Sequence, residues 1–156
     1  EILNKNWNKP EGYFRRALAS GNYKYEYKSD IIISTYPDYI PLIIECKNRE
    51  NWNYTDLLYF KGEIKKWYKS LKDRYYEIIN NDKYKDKRIA YLLIVSKAYN
   101  PIFVIFNPIV LLSSGLFEIN ESKGNYNFII DVNTDDNEKL RIMEINDFTN
   151  VYIPIF

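Results

Sequence analysis

The chain contains no His, so any acid–base or metal chemistry must come from carboxylates, lysines and hydroxyl groups. Four segments carry the spacing Glu-x-Lys: Glu26–Lys28, Glu45–Lys47, Glu63–Lys65 and Glu121–Lys123. Glu63–Lys65 falls in a helical pattern, where residues two apart do not share a face. Glu121–Lys123 sits in a polar, Gly-containing stretch, and Glu26–Lys28 has no Asp ahead of it. Only Glu45–Lys47 ends an apolar run, Leu42-Ile43-Ile44, with an Asp upstream. On a strand Glu45 and Lys47 project to one face, and Ile44 and Cys46 to the other, which makes Cys46 a core residue and not a nucleophile.

The acidic partner of Glu45 follows from hairpin geometry. Folding Ile31 to Ser34 back on Leu42 to Lys47 across Tyr36-Pro37-Asp38-Tyr39 sets Asp30 opposite Glu45, with Cβ atoms ~5 Å apart. Asp38 stands at the tip, roughly 23 Å away along an extended chain, and is excluded although it forms a Pro-Asp dipeptide. Two carboxylates so close repel unless a cation lies between them. Mg²⁺ takes hard oxygen ligands and keeps several waters. A neighbouring Lys47 could orient or deprotonate such a water and offset charge on a phosphate. This is a phosphodiester-hydrolysis site in outline. The same spacing also fits an exposed cross-strand ion network of Lys28, Asp30, Glu45 and Lys47, and leaves both readings open.

The elements that must hold these residues are legible in part. Asn8 as cap, Pro10 in a first turn and an apolar face of Tyr13, Phe14, Ala17 and Leu18 ending at Gly21 predict a first helix. Tyr23, Tyr25 and Tyr27 alternate with charged residues and predict a strand. From about Thr55 to Asn80, Leu57, Phe60, Ile64, Trp67, Leu71, Tyr75 and Ile78 form one helical stripe. Ile89 to Val95 and Ile102 to Phe106 read as buried strands. Shorter strands are expected at Phe117 to Ile119, Tyr126 to Val132 and Leu140 to Ile145.

At 156 residues, with 46% apolar and 28% charged residues, the chain is expected to form one domain, 1–156, with a core at about 9–96 and a β-rich extension at 97–156. The missing His excludes a Ser–His–Asp triad and a His metal cage. One Cys excludes an internal disulfide and a Cys-built zinc site. The five glycines fit neither dinucleotide nor P-loop phosphate fingerprints. No 18-residue apolar run or secretory leader is read, so the expectation is an intracellular protein without a membrane partner. Residues 1–115 carry 19 basic and 13 acidic side chains, and residues 116–156 carry 3 and 8. A positive lobe of this kind suits a polyanion. Lys61, Lys65, Lys69 and Lys72 on the long helix are the candidates for tracking DNA phosphates, with Arg74 and Lys66 nearby.

Ser29-Asp30-Ile31-Ile32-Ile33 followed by Leu42-Ile43-Ile44-Glu45-Cys46-Lys47-Asn48 resembles the PD-(D/E)xK nuclease superfamily, in its restriction-endonuclease-like and archaeal Holliday-junction-resolvase-like members. The resemblance covers about residues 9–96 and departs from the motif at Ser29, which replaces Pro. It implies an α/β (α+β) restriction-endonuclease-like fold, an αβββαβ core with a central mixed sheet flanked by helices. It further implies a metal-dependent endodeoxyribonuclease in which Asp30, Glu45 and the backbone carbonyl of Cys46 bind Mg²⁺, with Mn²⁺ able to substitute. Lys47 serves the attacking water, and Glu11 of the first helix is a further metal ligand. Double-strand cleavage would call for a homodimer. The residues do not separate DNA from RNA. Two other classes stay open: a non-catalytic nucleic-acid or protein-binding module, and a metal-independent ribonuclease toxin using Tyr, Lys and Arg.

Overall fold

The structure is a computed structural model that describes residues 1–17, 29–36, 39–120 and 125–156. Its centre is a five-stranded mixed sheet built from β3 (Leu42–Asn48), β4 (Ala90–Ser96), β5 (Phe103–Phe106), β8 (Lys139–Glu144) and β7 (Ile129–Asn133), in that spatial order. β3 and β4 run parallel, in register from Leu42↔Ala90 to Asn48↔Ser96, and the remaining pairs are antiparallel. A parallel pair needs a long crossover. Here α2 (Tyr54–Tyr59) and α3 (Gly62–Ile79) supply it.

Residue parity along the strands divides the core into two faces. Leu42, Ile44, Leu92, Val104, Phe106 and Met143 face one way, packing with Leu3, Phe148 and Tyr152. Ile43, Leu93, Ile105 and Ile142 face the other, beneath Ile64, Tyr68, Leu71 and Ile78 of α3. β4 is buried along all but its last residue, as expected of a strand covered on both faces. The first face is closed by α1 (Ile2–Asn6) and α5 (Ile145–Val151). Trp7 Nε1 donates to the carbonyls of Thr149 (3.2 Å) and Tyr152 (3.0 Å), and Asn6 Nδ2 to Asn146 Oδ1 (2.9 Å), joining the two ends of the chain. Two small sheets complete the fold: β1 (Phe14–Arg16) with β2 (Ile31–Ile33), and β6 (Phe117–Ile119) with β9 (Tyr152–Pro154). A short helix, α4 (Pro108–Ser113), precedes β6. No helix among the described residues is long and apolar enough to cross a membrane.

Several expectations need correction. The first helix is not at 9–21. Helix α1 ends at Asn6, Asn8 (φ 51°) and Gly12 (φ 80°) turn the chain, and Phe14–Arg16 is a strand. The long helix is two helices, broken where Phe60 (φ 50°) and Gly62 (φ 63°) take left-handed backbone. Asn53 starts the shorter one in a capping box with Asp56. The β-rich segment 97–156 supplies β5, β8 and β7, three of the five central strands. The strand expected around 23–27 and the turn tip Pro37-Asp38 lie outside the described residues.

Candidate active site

β3 is an edge strand of the large sheet, and residues 29–30 reach its free edge. Asp30 N–H donates to the Ile44 carbonyl (2.8 Å), and Asp30 Oδ2 accepts from Cys46 N–H (2.8 Å). Asp30 thus meets Ile44 through its main chain and Cys46 through its carboxylate, beside Glu45 and one residue off the register that would set it directly opposite. The pairing stops there, because β2 then runs antiparallel to β1, with Arg16↔Ile31 and Phe14↔Ile33 in register.

Ser29 explains how a residue other than Pro serves before the Asp. Its buried hydroxyl accepts from Ile44 N–H (3.0 Å) and donates to the Ile31 carbonyl (2.7 Å), replacing a ladder bond. Ser29→Ala leaves the buried Ile44 N–H without that acceptor, and a loss of about 1–3 kcal/mol is expected. Chemical denaturation of the two proteins measures it.

Glu45 and Lys47 share a face, with Lys47 Nζ 3.0 Å from Glu45 Oε1. The second carboxylate oxygen, Oε2, accepts from Arg74 Nη1 at 3.2 Å. Arg74 arrives from α3, three residues after Leu71 and four before Ile78, both in the buried stripe. That spacing was the available signal for a contact which sequence reasoning missed. Cys46 is not core: it is exposed, because the outer end of β3 lies beyond the packed part of the sheet. Although solvent reaches the residue, it lines the cleft and is partly desolvated there. That desolvation first, and then the Asp30 and Glu45 carboxylates, push the thiol up to about 12, against the opposing pull of Arg16. Both effects disfavour the thiolate form.

Asp30, Glu45, Cys46 and Lys47 line one cleft of about 670 Å³, together with Glu1 and the arginines 15, 16 and 49. Glu11 is exposed in the turn before β1 and does not line it. The acid at this end of the chain that lines the cleft is Glu1, the residue just before α1. Among the described residues no three His, Cys, Asp or Glu side chains converge as a ready-made metal cage. Asp30 and Glu45, with main-chain oxygens, suit an ion such as Mg²⁺ that binds through one or two carboxylates and retains water. Their chemistry fits that ion, provided it displaces a cation from Glu45.

The lysines of α3 lie elsewhere. Lys65 pairs with Asp135, and Lys72 with Asp136 (3.2 Å) and Glu138 (3.0 Å), on the turn between β7 and β8. Burial works against the Lys72 charge, yet the hydrogen bonds to Glu138 and Asp136 outweigh it and raise its pKa. Glu138 also accepts from Tyr68 and from Asn107 (2.8 Å), tying this cluster into the fold. Lys69 pairs with Asp73 within the helix (3.4 Å), and Lys61 stands over the Tyr59 ring. The acidic C-terminal segment thus neutralises part of the basic lobe at close range.

A mixed central sheet flanked by helices, with an Asp set against Glu-x-Lys on its edge strand, defines a restriction-endonuclease-like core. The model of the family described as "phage putative PDDEXK endonuclease" matches residues 1–154, and the chain belongs to that family. Neither the curated proteins nor the solved structures include a match to the chain.

Proposed function

We propose that this protein is a Mg²⁺-dependent endodeoxyribonuclease, with Mn²⁺ able to substitute, acting as one nuclease unit over its length. The observation that carries the reading is the setting of Asp30 against Glu45 and Lys47 in a single cleft at the edge of the sheet. Asp30, Glu45 and the Cys46 carbonyl would hold the ion, with Glu1, just before the first helix, the further acid at the cleft. When bound, Mg²⁺ neutralises charge on the phosphate and makes water a stronger acid. Lys47 orients the attacking water and offsets the charge that builds on the phosphate oxygens. Asp30 keeps its orientation through the Cys46 N–H bond, and Arg74 fixes Glu45 from the opposite side. Cutting both strands of a duplex calls for two copies, and a homodimer is part of the proposal.

The salt bridges from Glu45 to both Lys47 and Arg74 favour a second reading, in which the carboxylates are structural and the protein only binds. Metal dependence separates the two. Linear and supercoiled DNA are expected to be cut with Mg²⁺, to survive with EDTA, and to survive folded Glu45→Ala protein with Mg²⁺. Full activity in Glu45→Ala, or in EDTA, overturns the nuclease assignment.

A further inference from the structure

The cleft carries more basic charge than its carboxylates use. Arg15 and Arg16 are the exposed residues of β1, and Arg49 is exposed just beyond the end of β3. All three line the cleft that holds Asp30, Glu45 and Lys47. Among the described residues none of the three makes an ion pair. Among the described residues, the Arg49 side chain donates to the neighbouring Asn48 carbonyl alone (3.0 Å), while its own N–H is tied to Ser96 (3.1 Å). Lys65 and Lys72 of α3, by contrast, are paired with the acidic turn.

Placement reinforces the contrast. Ala17 N–H donates to the Asp30 carbonyl (2.9 Å), so Arg16 stands one residue from a strand contact at the level of the Asp30–Glu45 pair. Arg49 lies four residues beyond Glu45, about 13 Å further at the rise of an extended strand. That distance is the axial rise of about four nucleotides in one strand. Guanidinium groups also match phosphate geometry with paired N–H donors, which an ammonium does not.

We infer that Arg15, Arg16 and Arg49 form a phosphate-binding rim, holding the nucleic-acid backbone on either side of the bond presented to Asp30, Glu45 and Lys47. The inference rests on the nuclease reading for its substrate, but binding tests it without turnover. The measurement is fluorescence anisotropy of a labelled DNA duplex in EDTA across a salt series. Each lost phosphate contact lowers the slope of log affinity against log salt by about 0.9. Arg15→Ala/Arg16→Ala/Arg49→Ala is expected to lose about 2–3 from that slope. The matching Arg→Lys triple should keep the charge-dependent slope, and Lys61→Ala/Lys65→Ala should match the unmutated protein.

Circular dichroism checks each fold, and Arg49→Ala alone, expected to lose about 0.9, serves if the triple variant does not fold. An unchanged slope in the arginine variants, an equal loss in the lysine pair, or no binding by the unmutated protein at low salt overturns the rim. A rim-dependent slope without Mg²⁺-dependent cleavage would leave the rim standing and remove the nuclease reading. Cleavage with an unaffected slope would do the reverse.

Discussion

Lys47→Ala is expected to lower the rate of DNA cleavage by about 10²–10⁴-fold at saturating Mg²⁺, the range for losing one aligned proton-transfer or charge-stabilising group. The ammonium bonds to Glu45 and lines the cleft, so its removal deletes one cation there together with the contacts of the partly covered stem. Glu45 keeps Arg74, and no buried charge is left without a counter-ion. Thermal stability should therefore move far less than the rate. Single-turnover cleavage of supercoiled DNA reads the chemical step, and anisotropy in EDTA should show near-normal binding. Wild-type rates in Lys47→Ala would remove this residue from the chemistry, and a matching collapse in stability would make its role structural.

Phe148→Ala is expected to cost about 3–5 kcal/mol, the range for truncating a large aromatic in a closed core. Its ring is fully buried, packing against Trp7, Phe106 and Phe117 and stacking on Tyr152 (5.2 Å, 19° between planes). Those neighbours belong to the segment after α1, to β5, to β6 and to the chain's end, so a cavity there loosens several elements at once. Because domains are stable by only about 5–15 kcal/mol, one such change can consume much of the margin. A denaturation midpoint close to that of the unmutated protein would show that the cavity collapses.

That Asp30 lies along the Glu45–Lys47 strand was legible because strand register can be counted to within a residue, and a polar residue ending an apolar run stands out. The long stripe on α3 was legible for a similar reason: its period persists over many turns. Helix α1 was not, since five residues are too few to show a period, and the caps at Asn8 and Pro10 suggested a later start. The true signal was Leu3 with Trp7, four apart and both buried. Cys46 was read as core from strand alternation alone, which cannot say where the covering layer ends. Helix α5 was missed because Glu144 ends β8 and also caps the helix, accepting from Asn146 and Asp147 N–H, so no loop separates them. The ion pairs of Lys65 and Lys72 could not be read from the chain, because their partners Asp135, Asp136 and Glu138 lie 64 or more residues away.

The strand order carries a consequence for the birth of the protein. Asp30 and Glu45 belong to the first third of the chain, but β8, held between β5 and β7, and helix α5 are made near the end of it. At synthesis rates of about 5–20 residues per second, some 5–20 s separate Glu45 from Tyr152 on the ribosome. During that interval the edge strand has no finished sheet to hold its register, and α1 has no α5 to dock on. A polypeptide cut short before β8 lacks the strand that joins β5 to β7 and the helix on which α1 docks, so the edge strand that carries Glu45 is held by an unfinished sheet.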